Sequence, residues 1–105
     1  MRKSVLLRDL AHARSGDKGS DVNIGVIARS AADYQFLKSQ LSSAAVKDFF
    51  AVVCKGEVIR YELPNLLAFN FMLYGALGQG GSSSLRSDAQ GKAFGEALLH
   101  LVLER

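Results

Sequence analysis

Val22-Asn23-Ile24-Gly25-Val26-Ile27-Ala28 places an apolar side chain at every second position from Val22 to Ala28, with Asn23 and Gly25 among the residues between. Successive side chains of a strand point to opposite faces, so this period of two predicts a strand with one buried face, Asn23 and Gly25 lying on the other. A sheet so exposed on one side needs cover on the other, and the residues that follow supply it. Ser30 with Asp33 three residues on reads as a helix start, and Tyr34, Leu37 and Leu41 follow at helical spacing. Ser42 or Ser43 begins a second helical turn whose Val46, Phe49 and Phe50 share one side, with Gly56 as the stop.

Alternation returns over residues 57–63, where Ile59, Tyr61 and Leu63 oppose Val58, Arg60 and Glu62 until Pro64 removes a ladder donor. Residues 66–77 are apolar nearly all round and read as a buried helix. That dozen falls short of the roughly 20 residues a membrane span needs, so no membrane crossing is expected. Beyond Gly78-Gln79-Gly80-Gly81, residues 82–86 read as a short strand and Ser87 with Gln90 as a capping box. Phe94, Ala97, Leu98, Leu101 and Val102 then form the apolar stripe of a last helix reaching the C-terminus. Upstream, residues 4–13 read as a strand, apolar at Val5, Leu6, Leu7 and Leu10, leading into a polar loop over residues 14–21. The order strand, strand, helix, strand, helix, strand, helix predicts an α+β fold: a ferredoxin-like sheet of about four strands with helices packed on one face.

The 105 residues make one domain, 1–105, because a second core would lack material. Residues 1–30 hold six bases (Arg2, Lys3, Arg8, Arg14, Lys18, Arg29) against three acids, while residues 31–105 hold seven of each. The whole net charge of +3 therefore sits in the first third, which favours an anionic ligand but is small beside the basic stripes of nucleic-acid binders. No nucleic acid is expected. Cys54 is the one cysteine, so no internal disulfide forms and a reducing compartment fits. Val5-Leu6-Leu7 ends at Arg8-Asp9, too short for an export signal, and a cytoplasmic location is expected.

The loop His12-Ala13-Arg14-Ser15-Gly16-Asp17-Lys18-Gly19-Ser20 joins two bases to two glycines whose amides can cradle phosphate or carboxylate. It is no Walker A loop, and a solvated loop explains it equally well. Gly25 inside a strand marks a close approach, of a ligand or of a packed helix. Asn65 ends a strand, and Asn70 interrupts an apolar segment where an amide must find a partner. Arg86, beside serines and a helix start, can clamp an anion, although Asp88 already answers the helix dipole there. No GxGxxG or zinc spacing occurs, so no cofactor or metal is called for. With His12 and His100 the only histidines and no serine elbow, catalysis by the chain alone is not expected; His12 with Asp17 is the one conceivable acid and base.

Several blocks taken together resemble a known family: Asp9-Leu10-Ala11-His12-Ala13-Arg14-Ser15-Gly16-Asp17-Lys18-Gly19, Asn23-Ile24-Gly25-Val26, Arg60-Tyr61-Glu62-Leu63-Pro64-Asn65, Asn70-Phe71 and Asp88-Ala89-Gln90-Gly91-Lys92. They are similar to the ferredoxin-fold domain that forms the C-terminal part of the acyclic terpene utilisation protein AtuA. The resemblance implies a place in the catabolism of branched or terpenoid acids as coenzyme A thioesters. It also implies a stand-alone subunit or accessory partner of a larger AtuA-type protein. Two expectations follow. The first is an accessory domain binding an anionic small molecule, such as an acyl-coenzyme A thioester or branched acid. Its ligand residues would be Arg14, Ser15, Gly16, Asp17, Lys18, Asn23 and Arg86, with Asn65 and Asn70 in support. The second is an assembly module that forms a homo-oligomer or pairs with the larger protein, covering an open sheet face that carries Val5, Leu6, Leu7 and Ile27.

Overall fold

The computed structural model describes residues 3–76 and 88–104, with only the backbone of Lys18 and of residues 88–92. The order is β1 (Ser4–Leu6), β2 (Ala11–Lys18), β3 (Asp21–Ala28), α1 (Ala31–Gln40), α2 (Ser43–Phe49), β4 (Val58–Leu63), β5 (Ala68–Leu73), α3 (Asp88–Leu98) and β6 (Val102–Glu104). Two hairpins, β2–β3 and β4–β5, meet through β3 and β5 in an antiparallel sheet of strand order β2-β3-β5-β4. The short β1 and β6 form a separate antiparallel pair.

β3 has the faces its sequence predicts. Val22, Ile24 and Val26 are wholly buried and Ala28 nearly so, against the helices, whereas Asn23 and Gly25 lie on the opposite face. Phe69, Phe71 and Leu73 of β5 pair with Val26, Ile24 and Val22 and continue this core across the sheet. α1 starts where Ser30 Oγ accepts from Asp33 N at 3.1 Å and buries Tyr34 and Leu37. Tyr34 stacks on Phe69 with ring centroids 4.7 Å apart. Ser42 caps α2 through Ala45 N at 3.0 Å. Val46 and Phe50 are buried there, but Phe49 stands edge-on to Phe50 and is exposed. Arg60 Nη1 donates to the carbonyls of Lys38 and Leu41 at 3.0 and 2.9 Å, closing the end of α1 onto β4. Its Nη2 pairs with Glu62 at 2.7 Å.

Four expectations are corrected. Residues 14–21 are not a loop: β2 runs to Lys18 and turns in two residues, with Gly19 at φ +62 in the glycine-first type of hairpin turn. Residues 4–13 are not one strand, since a short 3-10 turn over Leu7–Asp9 separates β1 from β2. Residues 66–77 are not a helix. They contain β5, a central strand whose residues facing away from the helices include the apolar Ala68 and Met72 beside the buried Phe69, Phe71 and Leu73, so its run lacks the alternation that marks a strand. The last helix stops at Leu98, and Val102–Glu104 pairs with β1. Gly56 proves to be a close-approach glycine: a Cβ there would stand 2.1 Å from the Tyr74 carbonyl oxygen. The short strand expected over residues 82–86 and the Ser87 cap lie outside the described residues.

Candidate functional site

With the helices on one face, the other face of the sheet is open to solvent. Register decides which side chains reach it. Arg14 pairs with Gly25, Gly25 with Asn70 and Asn70 with Tyr61, so one row across four strands reads Arg14, Gly25, Asn70, Tyr61. The next row reads Gly16, Asn23, Met72, Ile59, and the row on the other side His12, Ile27, Ala68, Leu63. Gly25 leaves a gap in the middle. Among the described residues an added Cβ there would meet nothing closer than Arg14 O at 3.8 Å, so none of the described helices requires this glycine.

Two depressions adjoin on this side. A trough of about 430 Å³ is lined by Gly25, Ile27, Leu63, Leu66, Ala68, Phe69 and Asn70, almost all apolar. A groove of about 510 Å³ lies at the β2 edge between Arg8, His12, Arg14 and Arg29, with Ala11, Ala13, Ile27 and Leu99 completing it. Ile27 belongs to both walls. Arg29 organises the groove: its Nη2 donates to Arg8 O at 3.0 Å, and its Nη1 lies 3.0 Å from His12 Nε2. Among the described residues no carboxylate lines it. Elsewhere, the nearness of Tyr61, then burial, and to a smaller extent Asp21 and Glu57 hold the Tyr74 phenol above its usual range. Lining charge and apolar wall thus suit an anionic head joined to an apolar tail.

The residues expected to bind a ligand are divided by this geometry. Arg14, Gly16, Asn23 and Asn70 share the open face. Ser15 and Asp17 pair with Ile24 and Val22 and therefore face the helices. There Ser15 Oγ accepts from Gly95 N at 2.6 Å, which pins α3 to β2. The expected nest of loop amides does not form, because residues 11–18 pair with β3 as a ladder. Asn65 sits exposed on the 3-10 turn Pro64–Leu66, beside the trough's Leu63 and Leu66 but not lining it. Lys18 is placed by backbone alone, opposite Asp21, and Arg86 lies outside the described residues. His12 and Asp17 point to opposite faces of β2, so they form no acid–base pair. Of the apolar residues expected on the open face only Ile27 is there: Leu7 is fully buried, and Val5 and Leu6 belong to β1.

Sequence reasoning missed the grouping of Arg8 and Arg29 with His12 and Arg14, for which the excess of bases in residues 1–30 was the available signal. A third depression, about 330 Å³ between Phe49, Val53, Phe94 and their neighbours, has no charged side chain among its described lining residues. Among the described residues no group of His, Cys, Asp and Glu can hold a metal, and no helix is long and apolar enough to cross a membrane.

Comparison with known families gives one match: the AtuA ferredoxin-like domain, over residues 5–104. No curated protein and no solved structure matches the chain.

Proposed function

The chain belongs to the AtuA ferredoxin-like domain family, and from that premise we propose that it is an accessory, non-catalytic domain that binds an anionic small molecule with an apolar tail. The class that fits is an acyl-coenzyme A thioester or the corresponding branched acid, in terpenoid or other acyl-coenzyme A catabolism, with a larger AtuA-type protein in the cytoplasm as its partner. The observation that supports this reading is the junction at Ile27 of a groove with three arginines and a trough with an apolar wall. The head is held by Arg14 and Arg29, the tail lies over Gly25 and Ile27, and Asn70 offers its amide to a polar group between them.

The test is thermal unfolding with coenzyme A, a branched acyl-coenzyme A, the free branched acid and inorganic phosphate. A ligand at a hundredfold excess over its Kd stabilises the native state by about 2.7 kcal/mol. The thioester is expected to raise Tm saturably, Arg14→Glu to abolish the rise, and Ile27→Asp to remove the advantage of the branched acyl chain over coenzyme A alone. Both side chains are exposed, so both variants should fold. No shift with any of the four compounds would refute the reading.

A second reading draws on the same face. Ile27, Tyr61 and Leu63 stand 41–47% exposed on it and Leu66 on the adjoining turn is 66% exposed, the pattern of a surface buried between copies. Sedimentation at rising concentration separates the two: a dimer that Ile27→Asp dissociates supports assembly, and a monomer throughout excludes it.

A further inference from the structure

We propose that anion binding in the basic groove is proton-linked: an oxyanion takes Arg29 Nη1 from His12, and His12 then gains a proton and becomes a second donor to the same anion. This deepens the ligand-binding reading and rests on it. Arg29 Nη1 and His12 Nε2 are 3.0 Å apart. A guanidinium nitrogen only donates, so Nε2 is the acceptor and the imidazole is neutral, with its hydrogen on Nδ1. A hydrogen on Nε2 and the Arg29 N–H cannot both occupy that gap. His12 protonation therefore requires Nη1 to turn away.

The surroundings decide when that happens. Among the described residues the charged groups facing His12 are Arg8 from the 3-10 turn, Arg14 along β2 and Arg29 beyond β3, and the segment after α3 brings Leu99. Across the sheet in its own row stand Ile27, Ala68 and Leu63, none of which titrates. With three cations and no carboxylate among the described lining residues, the negative charge that an imidazolium needs arrives with the ligand. Arg29 is ready to release Nη1, because its Nε and Nη2 hold Arg8 O at 3.4 and 3.0 Å and keep the side chain anchored. An oxyanion with two oxygens then accepts one hydrogen bond from Nη1 and one from the imidazolium Nε2, both charge-assisted. One proton moves from solvent to His12 per anion bound, and no covalent bond is made or broken.

Sulfate is the probe, because it keeps one ionic form across the range in which histidine side chains change charge, about pH 5 to 8. Calorimetry at fixed ionic strength, in buffers of differing ionisation enthalpy, counts the protons taken up. Wild-type protein is expected to take up protons as sulfate binds and to lose about tenfold or more in sulfate affinity between the acid and alkaline ends. His12→Gln retains an acceptor and a donor but cannot titrate, and its affinity should vary less than about twofold. Sulfate binding without proton uptake, or the same pH slope in His12→Gln, would overturn the proposal and leave the groove reading standing. No saturable sulfate binding at the acid end would overturn both.

Discussion

Replacing Gly95 by alanine tests how α3 is seated, and through it how Arg14 is held. Alanine is the better helix former by about 1 kcal/mol, so an unconstrained helix would gain stability. At position 95 the new Cβ would stand 2.9 Å from Ser15 Oγ, 3.1 Å from Ser15 N and 3.2 Å from Arg14 C. Ser15 Oγ can rotate away, but it then gives up the 2.6 Å hydrogen bond from Gly95 N, a loss of about 1 kcal/mol. The two backbone atoms cannot rotate, for they belong to a strand paired with β3 along its length. α3 must lift from the sheet by a few tenths of an ångström, and overpacking of that kind costs about 1–3 kcal/mol. The net expectation is a loss of about 1–3 kcal/mol, read as a Tm lower by roughly 4 °C or more by calorimetry or circular dichroism. Ser15→Ala combined with Gly95→Ala should recover part of the loss, because it removes the nearest of the three contacts. A Gly95→Ala protein as stable as wild type, or more so, would refute the close seating of α3 on β2.

Tyr34 is buried and its hydroxyl has no hydrogen-bond partner among the described residues; Tyr34→Phe should keep the 4.7 Å stack on Phe69 and raise stability by about 1 kcal/mol in urea unfolding. A clear destabilisation would mean the hydroxyl is satisfied. Burial pushes the Cys54 thiol up, with a backbone hydrogen bond at Gly56 and the charge of Lys47 acting in the opposite direction. A thiol raised in the folded state binds its proton more firmly there, so its contribution is intact below the unfolded pKa and declines as pH rises toward the folded one. Unfolding at rising alkaline pH should therefore show a shallower loss in Cys54→Val than in wild type, and native Cys54 should react with a thiol reagent only as fast as the protein opens. Equal slopes, or immediate labelling, would contradict this.

Much of the fold was legible because several segments carry strong local signals. Val22, Ile24, Val26 and Ala28 announce a half-buried strand, Ser30 and Ser42 announce helix starts, and Pro64 ends β4, each through chemistry confined to a few neighbouring residues. The misread segments are those in which tertiary context outweighs that signal. β2 looks like a loop because, from Arg14 to Lys18, it shows polar or glycine residues to both sides: its open face is solvated, and its other face meets α3 through the Ser15 hydroxyl and not through hydrocarbon. β5 looks like a helix because Ala68 and Met72 on its open side are apolar like Phe69, Phe71 and Leu73 on its buried side, so Asn70 is the one polar break in an apolar run.

By itself the sequence determined the class of fold, the strand that anchors it and a basic first third suited to an anion. It determined these because side-chain period, capping and net charge are properties of adjacent residues or of composition. Only the tertiary structure decided which bases lie together. Arg8, His12, Arg14 and Arg29 converge through a 3-10 turn, an antiparallel register and the end of β3. Only the register, too, sent Ser15 and Asp17 to the helices while leaving Arg14, Asn23 and Asn70 on the open face. A shift of one residue reverses a strand's faces, and pairing between distant segments sets that shift.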